Sequence, residues 1–160
     1  MRLLVDMRRF CAVLILACLV VLPAAQAATG KVIKVLPFFV DTNGLHTLSP
    51  SLYERDAYQV YLRQNPERRS GVLYKIQWKS KGKAQAPLRL RVELRGVAQG
   101  NLPKQAVIER AVDRRRWFTQ WDSLELVGEE YKRFGDVVAW RVTLWEGEDL
   151  LLGSQQSFLW

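Results

Sequence analysis

Strict alternation of apolar and polar residues is the dominant pattern along the chain. In residues 88–95, LRLRVELR, leucine or valine occupies every second position and a charged residue occupies every other one. Residues 72–79 alternate in the same way and place Val72, Tyr74, Ile76 and Trp78 on one face. A period of two predicts strands with one buried face and one solvated face, as in an antiparallel sheet.

Five further segments have the composition of strands: residues 31–40, 105–112, 121–127, 137–145 and 150–160. The first carries Pro37, which suits an edge strand or a break in the strand because proline cannot donate to a β-ladder. Residues 137–145 are apolar almost throughout and predict a central strand, and a Glu-Gly-Glu turn at 146–148 joins them to the last segment as a hairpin. We therefore predict an all-β fold, an immunoglobulin-like two-sheet antiparallel sandwich of about seven strands.

One segment departs from this period and predicts an inserted α-helix at about residues 51–65. Its apolar positions follow helical spacing at Tyr53, Ala57, Tyr58, Tyr61 and Leu62. Ser51 and Glu54 have the spacing of a capping box, and Pro66 ends the helix. We expect this helix to lie over a sheet edge and to shield it from another chain. A second helical turn is predicted at residues 129–134, closed by Gly135.

The first residues have the order of a secretory signal peptide. Three arginines precede an apolar run of thirteen residues at 10–22, and Ala25-Gln26-Ala27 follows. The run is shorter than the roughly 20 residues that a membrane-spanning helix needs. We predict a cleaved signal at residues 1–27, a single domain at 28–160, no transmembrane segment after cleavage, and an exported, periplasmic or secreted product. A lipoprotein signal at Cys18 is the alternative.

Composition limits the chemistry of the predicted mature domain. Both cysteines precede residue 28, and loss of three arginines and one aspartate lowers the net charge from +8 to +6. His46 is the only histidine, so one chain cannot build a tetrahedral zinc site. A catalytic nucleophile–histidine pair would have to use His46. No glycine-rich phosphate loop is present, and the DTNG stretch at 41–44 lacks the acids of a calcium loop. We therefore expect no metal, no cofactor and no catalytic residue.

One stretch is a candidate binding surface. Residues 113–121, DRRRWFTQW, combine basic and aromatic side chains, and three arginines alternate along 89–95. Arginine pairs with carboxylate, sulfate or phosphate, and tryptophan offers a flat face to a ring. The candidate anionic-ligand surface consists of Arg89, Arg91, Arg95, Arg114, Arg115, Arg116, Trp117 and Trp121. Basic runs are common in positively charged proteins, so the pattern favours a solvated loop that Trp117 or Trp121 anchors to the core.

The segments SPSLYERDAYQVYLRQNPERRSG, IQWK and AWRVTLWEG, with the final SFLW, resemble a family of small uncharacterised bacterial secreted proteins. The resemblance covers most of the mature chain. It implies an immunoglobulin-like sandwich and an exported location, and it implies no activity and no site residues.

These observations favour a non-catalytic binding or assembly module of the periplasm or envelope. Its partner is expected to be an envelope protein or an anionic polysaccharide, and we do not expect nucleic acid. A polysaccharide-acting enzyme and a purely structural subunit of an envelope complex are the alternatives. The enzyme would need two carboxylates facing each other across a substrate. Glu129, Glu130, Glu146, Glu148 and Asp149 instead lie in segments predicted to be solvated turns.

Overall fold

A computed structural model describes residues 28–82, 84–98, 101–113 and 118–160. The predicted signal peptide at residues 1–27 lies outside these ranges. The strands are β1 (Thr29–Asp41), β2 (Arg69–Lys81), β3 (Leu88–Ala98), β4 (Leu102–Val112), β5 (Gln120–Val127), β6 (Asp136–Glu146) and β7 (Leu150–Gln156). The α-helices are α1 (Leu52–Gln64) and α2 (Gly128–Phe134), and a short 3₁₀ turn spans Pro66–Arg68.

The seven strands form two antiparallel sheets, which confirms the predicted two-sheet sandwich. The smaller sheet has the order β1-β2-β5 and the larger has the order β4-β3-β6-β7. This is an immunoglobulin-like order in which β4 pairs with β3 instead of extending the smaller sheet beside β5. As predicted, β1 is an edge strand and β6 is a central strand.

The core lies between the sheets and is built by the alternation seen in the sequence. Trp78, Ile76 and Tyr74 of β2 are buried against Leu90 and Val92 of β3. Because the side chains of a strand alternate between faces, the charged residues of β3 must project from the opposite side of the sheet.

The last predicted strand ends earlier than its apolar composition suggests. Pairing of β7 with β6 stops at Gln156, and residues 157–160 form a turn. Ser157 holds this turn against β6, since its amide donates to the carbonyl of Trp140 and its hydroxyl accepts from the Trp140 amide. Trp160 lies after this turn, against two arginines of the larger sheet.

Both predicted helices are present, and each has the expected terminal residue. The Ser51 side chain caps the start of α1 by accepting from the Glu54 amide, at 3.5 Å. Gly135 ends α2 with a φ of 88°, a conformation that glycine adopts at little steric cost.

Gln59 joins α1 to the exposed edge of β1. Its side-chain oxygen accepts from the Phe39 amide at 2.7 Å, and its side-chain nitrogen donates to the carbonyls of Phe39 and His46 at 2.9 and 2.8 Å. The primary amide thereby makes the two hydrogen bonds that a neighbouring strand would make with Phe39. The helix covers this part of the β1 edge, as the sequence predicts.

Candidate binding surfaces

The three candidate arginines of β3 lie on the outer face of the larger sheet, and two of them form ion pairs. Arg89 contacts Glu109 of β4 at 3.0 Å and Glu148 of the β6–β7 turn at 3.2 Å. Arg91 contacts the same Glu109 at 3.5 Å and Glu93 at 3.3 Å. Carboxylates thus occupy positions where an anionic ligand would need to approach these guanidinium groups.

The ion pairs continue across the sheet as a connected network. Glu93 also contacts Arg141 of β6, so acidic and basic residues alternate from the β6–β7 turn to the middle of β6. We call the set Arg89, Arg91, Glu93, Glu109, Arg141 and Glu148 the ion-pair network. It contains three positive and three negative charges, and this part of the outer face is therefore neutral.

Arg95, the third candidate arginine of β3, has an aromatic partner. Its guanidinium lies 4.2 Å from the ring centre of Trp160, and that of Arg141 lies 4.8 Å from the same ring. A guanidinium group at such a distance from a tryptophan ring makes a favourable cation–π contact. The turn after β7 is held against the sheet in this way, and Arg95 is partly covered by it.

Trp121 lies on the other side of the molecule. It pairs with Gln77 of β2 and is 49% exposed on the outer face of the smaller sheet. Arg114, Arg115, Arg116 and Trp117 lie outside the residues that the structure describes. The structure therefore separates Trp121 from the β3 arginines across the thickness of the sandwich, and it does not bring these described candidates into one surface.

An open cleft of about 630 Å³ lies beside Trp121, between the ends of β4 and β5. Arg110, Asp113, Phe118 and Asp122 also line it, so its described wall carries both charges. The Asp122 carboxylate accepts a hydrogen bond from the Trp78 indole at 2.8 Å, which commits one of these acids to the core. The described part of the cleft has no excess of positive charge.

The outward side of α1 forms a second and more apolar surface. Successive residues of a helix are about 100° apart, so Tyr53, Ala57, Val60 and Tyr61 share one side. All four are exposed, and Tyr53 is 84% exposed. Leu48 and Leu52, at the start of the helix, are also exposed. We call the set Tyr53, Ala57, Val60 and Tyr61 the outward face of α1.

The sequence pattern did not separate this face from the buried one. Of the apolar positions that predicted the helix, Leu62 is buried and Tyr58 is half-buried, but Tyr53 and Tyr61 point to solvent. The fully covered side instead holds Leu62 and Gln59. The apolar pattern did not show which side faces the sandwich, because one of the two residues on the covered side, Gln59, is polar.

Several interactions hold α1 in place. Asp41 at the end of β1 is buried and accepts hydrogen bonds from the Tyr58 hydroxyl at 2.6 Å and from the amides of Asn43 and Leu45. Burial opposes ionisation of Asp41, but these hydrogen bonds outweigh burial and lower its pKa. Burial and the bond to Asp41 raise the pKa of Tyr58 to about 12.

Arg69 fixes the other end of the helix. Its guanidinium donates to the carbonyls of Leu62 and Arg63 in the last turn of α1. The same group lies 4.2 Å from the centre of the Phe39 ring. A cation at a helix C-terminus also interacts favourably with the helix dipole. α1 is consequently held at its start, its middle and its end, and this fixes the position of its outward face.

His46 lies in a structural environment. Its ring is 5.3 Å from that of Phe38, and its pKa is lowered by burial and by the nearby charges of Lys75 and Arg55. Among the described residues, no cluster of three or more histidine, cysteine or acidic side chains is placed to hold a metal ion. None of the described helices is both long and apolar enough to cross a bilayer.

Comparison with known proteins adds no relative. No protein family, no curated protein and no solved structure matches the chain.

Proposed function

We propose that the chain is an exported, non-catalytic binding or assembly module of the periplasm or envelope, and that its partner is a protein that docks on the outward face of α1. The observation that carries the proposal is the exposed apolar stripe of that helix, formed by two tyrosines, a valine and an alanine. Exposed apolar patches of this kind are typical of protein interaction sites. Tyrosine is also among the residues that contribute most to binding at interfaces.

The anchoring of α1 supports this role. Gln59 bonds the middle of the helix to Phe39, Asp41 accepts from the half-buried Tyr58, and Arg69 donates to the last carbonyls. A surface that is rigid before binding loses less conformational entropy when it binds. The helix is therefore suited to present a fixed recognition face.

The ion-pair network makes an anionic polymer the weaker candidate for a partner. Arg89 and Arg91 have carboxylate partners, and a ligand would need to replace them. Export is supported by the charged, apolar and small-residue order of residues 1–27.

A double substitution on the outward face tests the proposal. Tyr53→Ser with Val60→Ser removes apolar area that is exposed, so we expect the fold to retain its stability. The tagged full chain is expressed in the species that encodes it and is purified from those cells at about 0.1 M and about 1 M salt. We expect the wild-type chain to co-purify with a stoichiometric partner at both salt concentrations, and the double variant to lose it.

The matched control is Val107→Ser with Phe118→Ser, which removes two exposed apolar side chains from other surfaces. It is expected to keep the partner. Equal recovery of the partner with both double variants would contradict the assignment of the surface. A partner that the wild-type chain releases at high salt would point instead to the arginines.

A further inference from the structure

A small cavity of about 190 Å³ opens between the two sheets, on the side where α1 meets β1. Phe39 and Tyr74 of the smaller sheet and Trp140 of β6 supply aromatic walls, and Arg63 from the last turn of α1 also lines the cavity. This cavity lies apart from the outward face of α1, because Tyr53 and Val60 do not line it.

The size of the cavity limits its occupant. Apolar cavities of about 150 Å³ in proteins bind benzene, and pockets for drug-sized ligands are about 300 Å³ or larger. The cavity therefore has room for one six-membered ring with a short substituent. Its aromatic walls favour a flat ring, which can pack edge-to-face or offset against them.

The polar groups that line the cavity indicate the charge of the occupant. Tyr74, which is only 1% exposed, contributes a hydroxyl to the polar groups of the lining residues. Trp140 and Arg63 also line the cavity and carry an indole N–H and a guanidinium. Gln59 also lines the cavity, but its amide is already bonded to Phe39 and His46.

These three groups are donors, so the complementary ligand carries acceptors. Burial raises the pKa of Tyr74 and keeps its hydroxyl protonated, which preserves this donor. Arginine remains charged and pairs well with carboxylate. We propose that this cavity is a binding site for a small aryl monocarboxylate, with the ring against Phe39, Tyr74 and Trp140 and the carboxylate at Arg63.

Phenylacetate is a suitable probe, because it joins a single ring to one carboxylate. Binding is followed by the NMR signals of the tryptophan indole N–H groups, and the Trp140 signal is assigned by its loss in Trp140→Phe. We expect phenylacetate to shift this signal with a Kd of about 1 mM, as for a fragment of about ten non-hydrogen atoms. Acetate and benzyl alcohol, which lack the ring or the charge, are expected to bind at least about tenfold more weakly.

Two arginine variants distinguish binding in the cavity from a general effect of the positive charge of the protein. Arg63→Gln removes the proposed carboxylate partner and is expected to weaken phenylacetate binding about tenfold. The control is Arg68→Gln, which removes an exposed arginine that does not line the cavity and is expected to change nothing. Tyr74→Phe keeps the ring and removes the hydroxyl, and it is expected to weaken binding severalfold.

The proposal is overturned if phenylacetate at about 10 mM leaves the Trp140 signal unmoved, or if Arg63→Gln and Arg68→Gln weaken binding equally. Tyr53→Ser with Val60→Ser is expected to bind phenylacetate like the wild-type chain. The ligand site and the protein-docking face can therefore fail or succeed independently.

Discussion

Gln59→Ala is the substitution that tests how α1 is fixed to the sandwich. It removes three hydrogen bonds of 2.7–2.9 Å and leaves two polar groups of Phe39 and one of His46 without their partner. Each such bond contributes about 1 kcal/mol net, and alanine recovers a few tenths of a kcal/mol in helix propensity. We expect the free energy of unfolding to fall by about 2–3 kcal/mol.

The measurement is urea unfolding followed by tryptophan fluorescence, with Gln64→Ala as the matched control. Gln64 ends the same helix and is exposed, so its replacement is expected to change the stability by less than about 0.5 kcal/mol. Gln59→Glu is a sharper probe, since it keeps an acceptor for the Phe39 amide but turns a carboxylate oxygen toward two carbonyls.

The Gln59→Glu variant is expected to lose more stability relative to wild type at pH 7 than at pH 4. At pH 4 the introduced carboxyl group is protonated in a large fraction of the molecules, because the ordinary pKa of glutamate is about 4.3. The protonated group can donate to one of the carbonyls. Equal stabilities of Gln59→Ala and Gln64→Ala would refute the role of Gln59 as the link between helix and strand.

Three further substitutions have defined outcomes. Tyr58→Phe is expected to lower stability by about 1–2 kcal/mol at pH 7. It is also expected to reduce the loss of stability that wild type shows in urea titrations between pH about 10 and 12, where Tyr58 ionises in the unfolded chain and stays protonated in the folded one. Gly135→Ala is expected to cost about 2–3 kcal/mol in thermal unfolding, because its Cβ would meet the Val97 carbonyl at a positive φ. Glu109→Gln removes one of the two carboxylate partners of Arg89 and of Arg91 and is expected to increase salt-sensitive retention on heparin. Unchanged retention would show that the network does not mask these arginines.

The pH dependence on the acid side follows from Asp41. Its folded pKa is lowered, so the hydrogen bonds that it accepts stabilise the fold above the unfolded pKa of about 3.9. This contribution is lost as the pH falls through the folded value. Urea titrations between pH 7 and about 2 are expected to show a fall in stability that is smaller in Asp41→Asn than in wild type. An identical pH profile for the two proteins would contradict this assignment.

Local sequence patterns predicted the elements of this fold well. Alternation along β3 identified a strand and its buried face, because the period of a strand is a property of neighbouring residues. Ser51 and Gly135 marked helix ends for the same reason, since caps involve residues only a few positions apart.

The surfaces depend on long-range register and could not be predicted in this way. Arg89 appeared as a free cation in the sequence because its partners, Glu109 and Glu148, come from other parts of the chain. The cavity beside Trp140 likewise joins residues of β1, β2, β6 and α1 that no local pattern relates. The side of α1 that faces the sandwich was set by the hydrogen bonds of Gln59, a polar residue that an apolar pattern does not identify.

Site-specific photo-cross-linking tests the central claim most directly, namely that the outward face of α1 contacts a protein. A photoreactive phenylalanine replaces Tyr53 in one strain and Gln105, an exposed residue of β4, in another. The proposed function predicts one discrete cross-linked product from position 53 in intact cells and none from position 105. No product from position 53, or the same products from both positions, would contradict it.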